Sequence, residues 1–177
     1  MTVEFKPWPK IPRYKGSKVC ITEKMDGTNA CIVIKDGELY TQSRNRLITP
    51  EQDNYGFAKW CQDNKQELLK LGDGYHYGEW VGLGIQSNPH NLDNKYFYLF
   101  NVKRWGNHNP NTPNCCRVVR ILHDGDLTVD TIENTMKVLL VHAETNNYTP
   151  EGVVIYDKTA DSYQKLTFKN TEGKWKN

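Results

Sequence analysis

"ITEKMDGTNACIVI", residues 21–34, is the stretch on which the fold turns. Two apolar, β-branched runs, 18–22 and 30–35, read as strands, and Asp26-Gly27 between them is a favoured turn pair. A plain hairpin accounts for the aspartate and the glycine. It does not account for Lys24, a charge set against the end of an apolar strand.

Outward from there, Asp36-Gly37 joins 30–35 to a third strand, 39–43, and begins an antiparallel sheet. The segment 49–72 predicts a helix: Thr49 as cap, Pro50 in the first turn, Gln52 closing a capping box, Gly72 as stop, and Phe57, Cys61 and Leu68 on one face. A second helix is expected over 130–146, with Asp130 and Glu133 as capping box and a stripe of Ile132, Met136, Leu139, Leu140 and Ala143. The segments 75–82, 95–102, 117–122, 151–156 and 163–168 are β-branched, aromatic or alternating and predict strands. The proline-rich, basic opening, 5–16, is expected to run extended over the domain. The fold class is therefore α+β, antiparallel sheets flanked by helices.

At 177 residues the chain is expected to form one domain. Hydrophobic content of 37% and charged content of 25% describe an ordinary globular protein. No apolar run approaches the ~18 residues of a membrane span and no secretory leader is readable, so a cytoplasmic location is expected. Five cysteines, an odd number, predict reduced thiols packed as small hydrophobes. Cys115-Cys116 with His108 and His123 match none of the usual zinc spacings. A net charge of +2 is too small to announce nucleic acid.

Several strand ends carry groups a core would not choose: Lys24, Asp26 and Asn29, then Arg44, Glu79, Glu151, Lys165 and Lys169. Lysine and glutamate are seldom buried unpaired, so their placement implies a polar cleft between sheets. Lysines beside carboxylates suit a phosphate substrate with a divalent metal. A lysine itself becomes a nucleophile where neighbouring cations depress its pKa. Singly, each position also fits a solvated charge or a defended sheet edge.

Their order is more telling. "EKMDGTN" (23–29) resembles motif I of the covalent nucleotidyltransferases, the superfamily of ATP-dependent RNA ligases, DNA ligases and mRNA capping enzymes, and in particular the type 2, double-strand-repair RNA ligases. "QSRNR" (42–46) resembles motif Ia, "YGEWVG" (77–82) motif III, "YFYLFNV" (96–102) motif IIIa, "EGVVIY" (151–156) motif IV and "KLTFKN" (165–170) motif V. The resemblance implies a ligase/capping-enzyme fold with a nucleotide-binding groove, and ATP with Mg²⁺ or Mn²⁺. Lys24 would take AMP from ATP, and Asp26 would assist nucleic-acid joining. Glu23 would read the adenine, Phe100 stack on it and Glu79 hold the ribose, with Asn29 and Arg44 on sugar or phosphate. Glu151 would place the metal, and Lys165 and Lys169 would bind the α-phosphate and escort pyrophosphate.

Two positions depart from the family pattern: Thr167 stands where a second motif V lysine is usual, and Asn101 where an aspartate is common. The expected activity is RNA ligation on RNA or an RNA-containing nicked duplex, from a minimal catalytic domain over 1–177 without a carboxy-terminal accessory domain. A partner protein supplying one is a further expectation. The basic arm, Arg44, Arg46, Lys103, Arg104 and Trp105 are candidate nucleic-acid contacts. A capping-type guanylyltransferase or a non-catalytic nucleotide- or nucleic-acid-binding relative are the alternatives.

Overall fold

The computed structural model describes residues 3–7, 9–10 and 16–171. The chain runs β1 (Lys18–Lys24), β2 (Thr28–Lys35), β3 (Glu38–Ser43), β4 (Leu47–Ile48), α1 (Phe57–Asp63), α2 (Lys65–Leu68), β5 (Gly74–Gly82), β6 (Lys95–Leu99), β7 (Cys116–Val118), β8 (Ile121–Asp126), α3 (Thr131–Thr145), β9 (Gly152–Asp157) and β10 (Ser162–Thr167). Two sheets form, in the orders β10-β9-β1-β8 and β4-β3-β2-β5-β6-β7. Pairing is antiparallel except between β6 and β7. Of the expected amino-terminal arm, residues 5–7, 9 and 10 are exposed without helix or strand, and residues 8 and 11–15 lie outside the described residues.

The hairpin reading of Asp26-Gly27 is corrected. β1 pairs with β8 and β9, whereas β2 pairs with β3 and β5, so the turn carries the chain from one sheet to the other. Gly27 is required at the crossing, because a Cβ there would lie 2.2 Å from the backbone oxygen of Trp80 in β5. The segment expected as one strand over 117–122 is likewise divided between β7 and β8. Val119 donates to Leu99 O at 3.1 Å while Arg120 O accepts from Glu23 N–H at 2.9 Å, one bond to each sheet. A small cluster of Met25, Val81 and Val119 seals the junction between these two crossings.

Each sheet buries one face, as period-two alternation demands. Ala30, Ile32, Ile34, Trp80, Phe97 and Leu99 cover the larger sheet's inner face, and α1 and α2 close over it with Phe57, Ala58, Cys61 and Leu68. The Phe57 ring lies 5.1 Å from Phe97 and 5.3 Å from Trp80, within the range of favourable aromatic pairs. On the smaller sheet Val19, Ile21 and Val153 pack against Met136 and Leu139 of α3.

Helix α1 begins later than the capping pattern predicts. Thr49 and Gln52 bond each other's backbone as an isolated bridge, and Tyr55 and Gly56 stand at positive φ, which interrupts any helix from residue 49. Asp53 supplies the cap instead, its carboxylate accepting from the Ala58 and Lys59 N–H groups at 2.8 and 3.0 Å. Asn64, at φ −108°, separates α1 from α2, and Gly72 stops the segment as expected. Helix α3 forms where expected, but Asp130 makes no side-chain cap; Thr128 N–H donates to Thr131 Oγ1 at 2.8 Å. The strand expected over 95–102 ends at Leu99.

Candidate active site

Lys24 is the last residue of β1, opposite Gly152, the first of β9. This register sets Lys24 beside Glu151, and its Nζ donates to Glu151 Oε1 at 2.7 Å, both side chains about one quarter exposed. Gly152 lets β10 come close, since a Cβ would lie 2.1 Å from Leu166 O. The other oxygen, Glu151 Oε2, is buried without a hydrogen-bond partner. A buried carboxylate oxygen tolerates that only at a cost, unless a cation or proton meets it.

Glu79 in β5 pairs with Asn29 in β2, and Asn29 Nδ2 donates to Glu79 Oε2 at 3.0 Å. Burial pushes the Glu79 carboxyl up to about 7; Lys24 opposes the shift, Glu151 adds to it, and the bonds from Asn29 and the Gly27 N–H oppose it. Lys24, Glu79 and Glu151 therefore share one electrostatic site, although Lys24 ends β1 of the smaller sheet, Glu151 immediately precedes its β9 and Glu79 lies in the larger. The near neighbours of the lysine are carboxylates, not the cations expected from sequence.

The turn between the sheets is held by a residue no sequence pattern singled out. His90 is buried, and its Nε2 accepts from the Asp26 N–H at 2.9 Å, which fixes Nε2 as the unprotonated nitrogen. Burial lowers its pKa, against the pull of Glu23, Asp26 and Glu151. Glu23 is also buried. Its carboxylate accepts from Tyr148 Oη at 2.6 Å and lies 3.7 Å from Arg120 Nε, on the face of β1 opposite Lys24. Tyr148, whose hydroxyl pKa is raised by burial and then by Glu23, follows α3 and was equally unmarked. His90, Tyr148 and Arg120 are single polar residues in loops, with no periodicity to announce them.

Phe100 is 41% exposed just past β6, and its N–H donates to Tyr77 O at 3.0 Å. Arg44 is exposed in the turn after β3, one residue beyond Ser43, which pairs with Ala30. Lys165 and Thr167 share with Lys24 the groove face of the smaller sheet. Thr167, Gly152 and Lys24 form one cross-strand row, and Lys165, Val154 and Thr22 the next. Lys169 does not share that face: β10 ends at Thr167, and Lys169 sits exposed in a 3₁₀ turn, 168–171. Trp105 is 3% exposed in the core and cannot offer a free face to a base. Arg46 donates to Gln52 O and Asp53 O, and Arg104 to Leu71 O, so both guanidiniums brace loops, while Lys103 is exposed.

A family model described as RNA ligase matches residues 17–174. The chain belongs to the RNA ligase family. Solved structures of Naegleria gruberi RNA ligase share this family member's fold. A mutant with ATP and Mn superposes with a TM-score of 0.62 at 21% identity, covering 86% of this chain and 50% of that one. The same enzyme with PPi gives 0.59 at 23%, with the same coverage. The chain thus spans about half the length of these ligases. No curated protein matches it. Among the described residues of this RNA ligase family member, no helix is long and apolar enough to cross a membrane.

Proposed function

We propose that this RNA ligase family member is an ATP-dependent adenylyltransferase of the type 2 kind, which charges Lys24 with AMP and uses it to join RNA ends. One observation carries the proposal: Lys24 and Glu151 are paired at 2.7 Å at the mouth of the inter-sheet junction, with the second Glu151 oxygen buried and unmet. In the first step Lys24 Nζ forms a bond to the α-phosphorus of ATP, the bond to the bridging oxygen breaks, and pyrophosphate leaves. The amine must first lose its extra proton and its ion pair with Glu151. Positioning supplies much of the acceleration, since nucleophile and phosphate are held in one groove.

The donor set fits a divalent cation of the magnesium type, which uses one or two carboxylates and completes its shell with phosphate oxygens and water. Among the described residues no cluster of three protein ligands exists, so Glu151 Oε2 would be the protein's contribution. A bound Mg²⁺ or Mn²⁺ supplies charge neutralisation at the α-phosphate. The Naegleria ligase structures with ATP and Mn support this choice. Glu79 and Asn29 would hold the ribose, Phe100 would stack on the base, and Lys165, Lys169 and Arg44 would meet the phosphates. Glu23 would bear on the adenine side only from behind β1. The AMP would then pass to a 5′-phosphate end, with Asp26 assisting, and a 3′-hydroxyl would displace it to seal the strand, in RNA or an RNA-containing nick.

Incubation with ATP and Mg²⁺ should add one AMP to the intact mass, and Lys24→Ala should remove that addition. A wild-type protein left unmodified by ATP with either metal overturns the proposal. Labelling by GTP in preference to ATP would make it a guanylyltransferase instead.

A further inference from the structure

The face of the larger sheet that bears Glu79 continues well past the groove, and it is tyrosine-rich. Along β5, Tyr75 and Tyr77 alternate with the buried His76 and Gly78 and stand on the same side as Glu79. Across β2 this side continues to Tyr40 of β3, because Tyr75 pairs with Val33 and Val33 with Tyr40. Tyr40, Tyr75 and Tyr77 are 53%, 61% and 56% exposed, although large aromatic side chains ordinarily bury most of their area. The Tyr75 and Tyr77 rings lie 6.2 Å apart with planes 18° from parallel.

We infer that Tyr75 and Tyr77, with Tyr40 beside them, are a stacking platform for the unpaired bases of an RNA strand entering the groove. Three features select that occupant. The tyrosines are continuous with the nucleotide site, since Tyr77 O accepts the Phe100 N–H and Tyr77 lies two residues, roughly 7 Å, from Glu79 along the strand. Exposed aromatic rings in near-parallel planes take any base, as single-strand readers require. Cations bracket the face: exposed Arg44 at the groove end and exposed Lys35 on the same side of β2 at the far end, where Glu38 is engaged by Lys65 at 2.9 Å. Duplex, whose bases already stack on one another, would gain nothing from the rings.

The inference rests on the RNA-joining proposal above, and its test separates the two. Binding of a fluorescein-labelled single-stranded oligoadenylate is followed by anisotropy for the wild type, Tyr75→Ala, Tyr77→Ala, the double alanine variant and the double phenylalanine variant. ATP-dependent mass addition is measured on each protein. Each alanine should weaken oligoadenylate binding about tenfold and the pair about a hundredfold, while the phenylalanine variant stays within about twofold. All variants should still take up AMP. Unchanged affinity in the double alanine variant overturns the platform, as does an equal loss in the phenylalanine variant, or binding of nicked duplex but not single strand. A wild type that binds the oligonucleotide through the tyrosines yet takes up no AMP would remove the ligase proposal and leave the platform standing.

Discussion

Replacing Glu79 by glutamine should make the protein more stable at neutral pH and less capable of charging Lys24. Burial raises the Glu79 carboxyl from its ordinary 4.5 to about 7, so across that window the native state keeps a proton that the unfolded chain has released. A native state holding the extra proton loses stability as pH rises, at about 1.4 kcal/mol per pH unit. Over the two and a half units involved, Glu79 should cost about 3 kcal/mol by the time pH passes its native value. Glutamine has no such titration. Its amide oxygen can still accept from Asn29, while its NH₂ would face the Gly27 N–H at a cost of about 1–2 kcal/mol. The variant should therefore be slightly less stable than wild type near pH 4.5 and more stable by about 1–2 kcal/mol above pH 7. Urea midpoints across the range, at unchanged m-value, read this directly. Parallel wild-type and variant curves would show that Glu79 titrates normally and would refute the account of the site as a desolvated carboxylate pair beside one lysine.

Gly27→Ala should lose AMP uptake and about 1–3 kcal/mol of stability, because its Cβ would overlap Trp80 O; a normal urea midpoint would contradict this. His90→Ala, which strips the Asp26 N–H of its acceptor, should slow single-turnover adenylation about tenfold, with partial recovery in His90→Gln. Thr167→Lys puts an ammonium into the Lys24 row and should speed adenylation, whereas Lys165→Ala in that background should then matter little, as rapid-quench measurement would show. Phe57→Ala should cost about 3–5 kcal/mol in denaturant unfolding while leaving the groove residues in place.

How much was legible in the sequence differs from element to element. The apolar, β-branched run "ACIVI" and the Asp36-Gly37 pair announced β2 and β3 because both signals are local. Helix α1 starts later than its capping pattern predicts. Thr49 does accept the Gln52 N–H, yet the left-handed Tyr55-Gly56 step and the Asp53 carboxylate move the helix start eight residues on, to Phe57. Short β4 carries too little pattern to be read at all, and of the polar β8 only Ile121 and Leu122 fall within an expected strand.

By itself the sequence determined most of the strands, the α+β class and an ordered set of polar residues at strand ends, since propensity and spacing act along the chain. What the tertiary structure decided is who meets whom. Asp26-Gly27 crosses between sheets because Gly27 fits against Trp80, and only that crossing brings Lys24 and Glu151 to Glu79. His90 and Tyr148 join the site from loops 64 and 125 residues away from their partners, a proximity created by packing and invisible to any local signal. Register likewise puts Thr167 rather than Lys165 in the row of Lys24, a matter of hydrogen-bond pairing between strands that residue types alone do not specify.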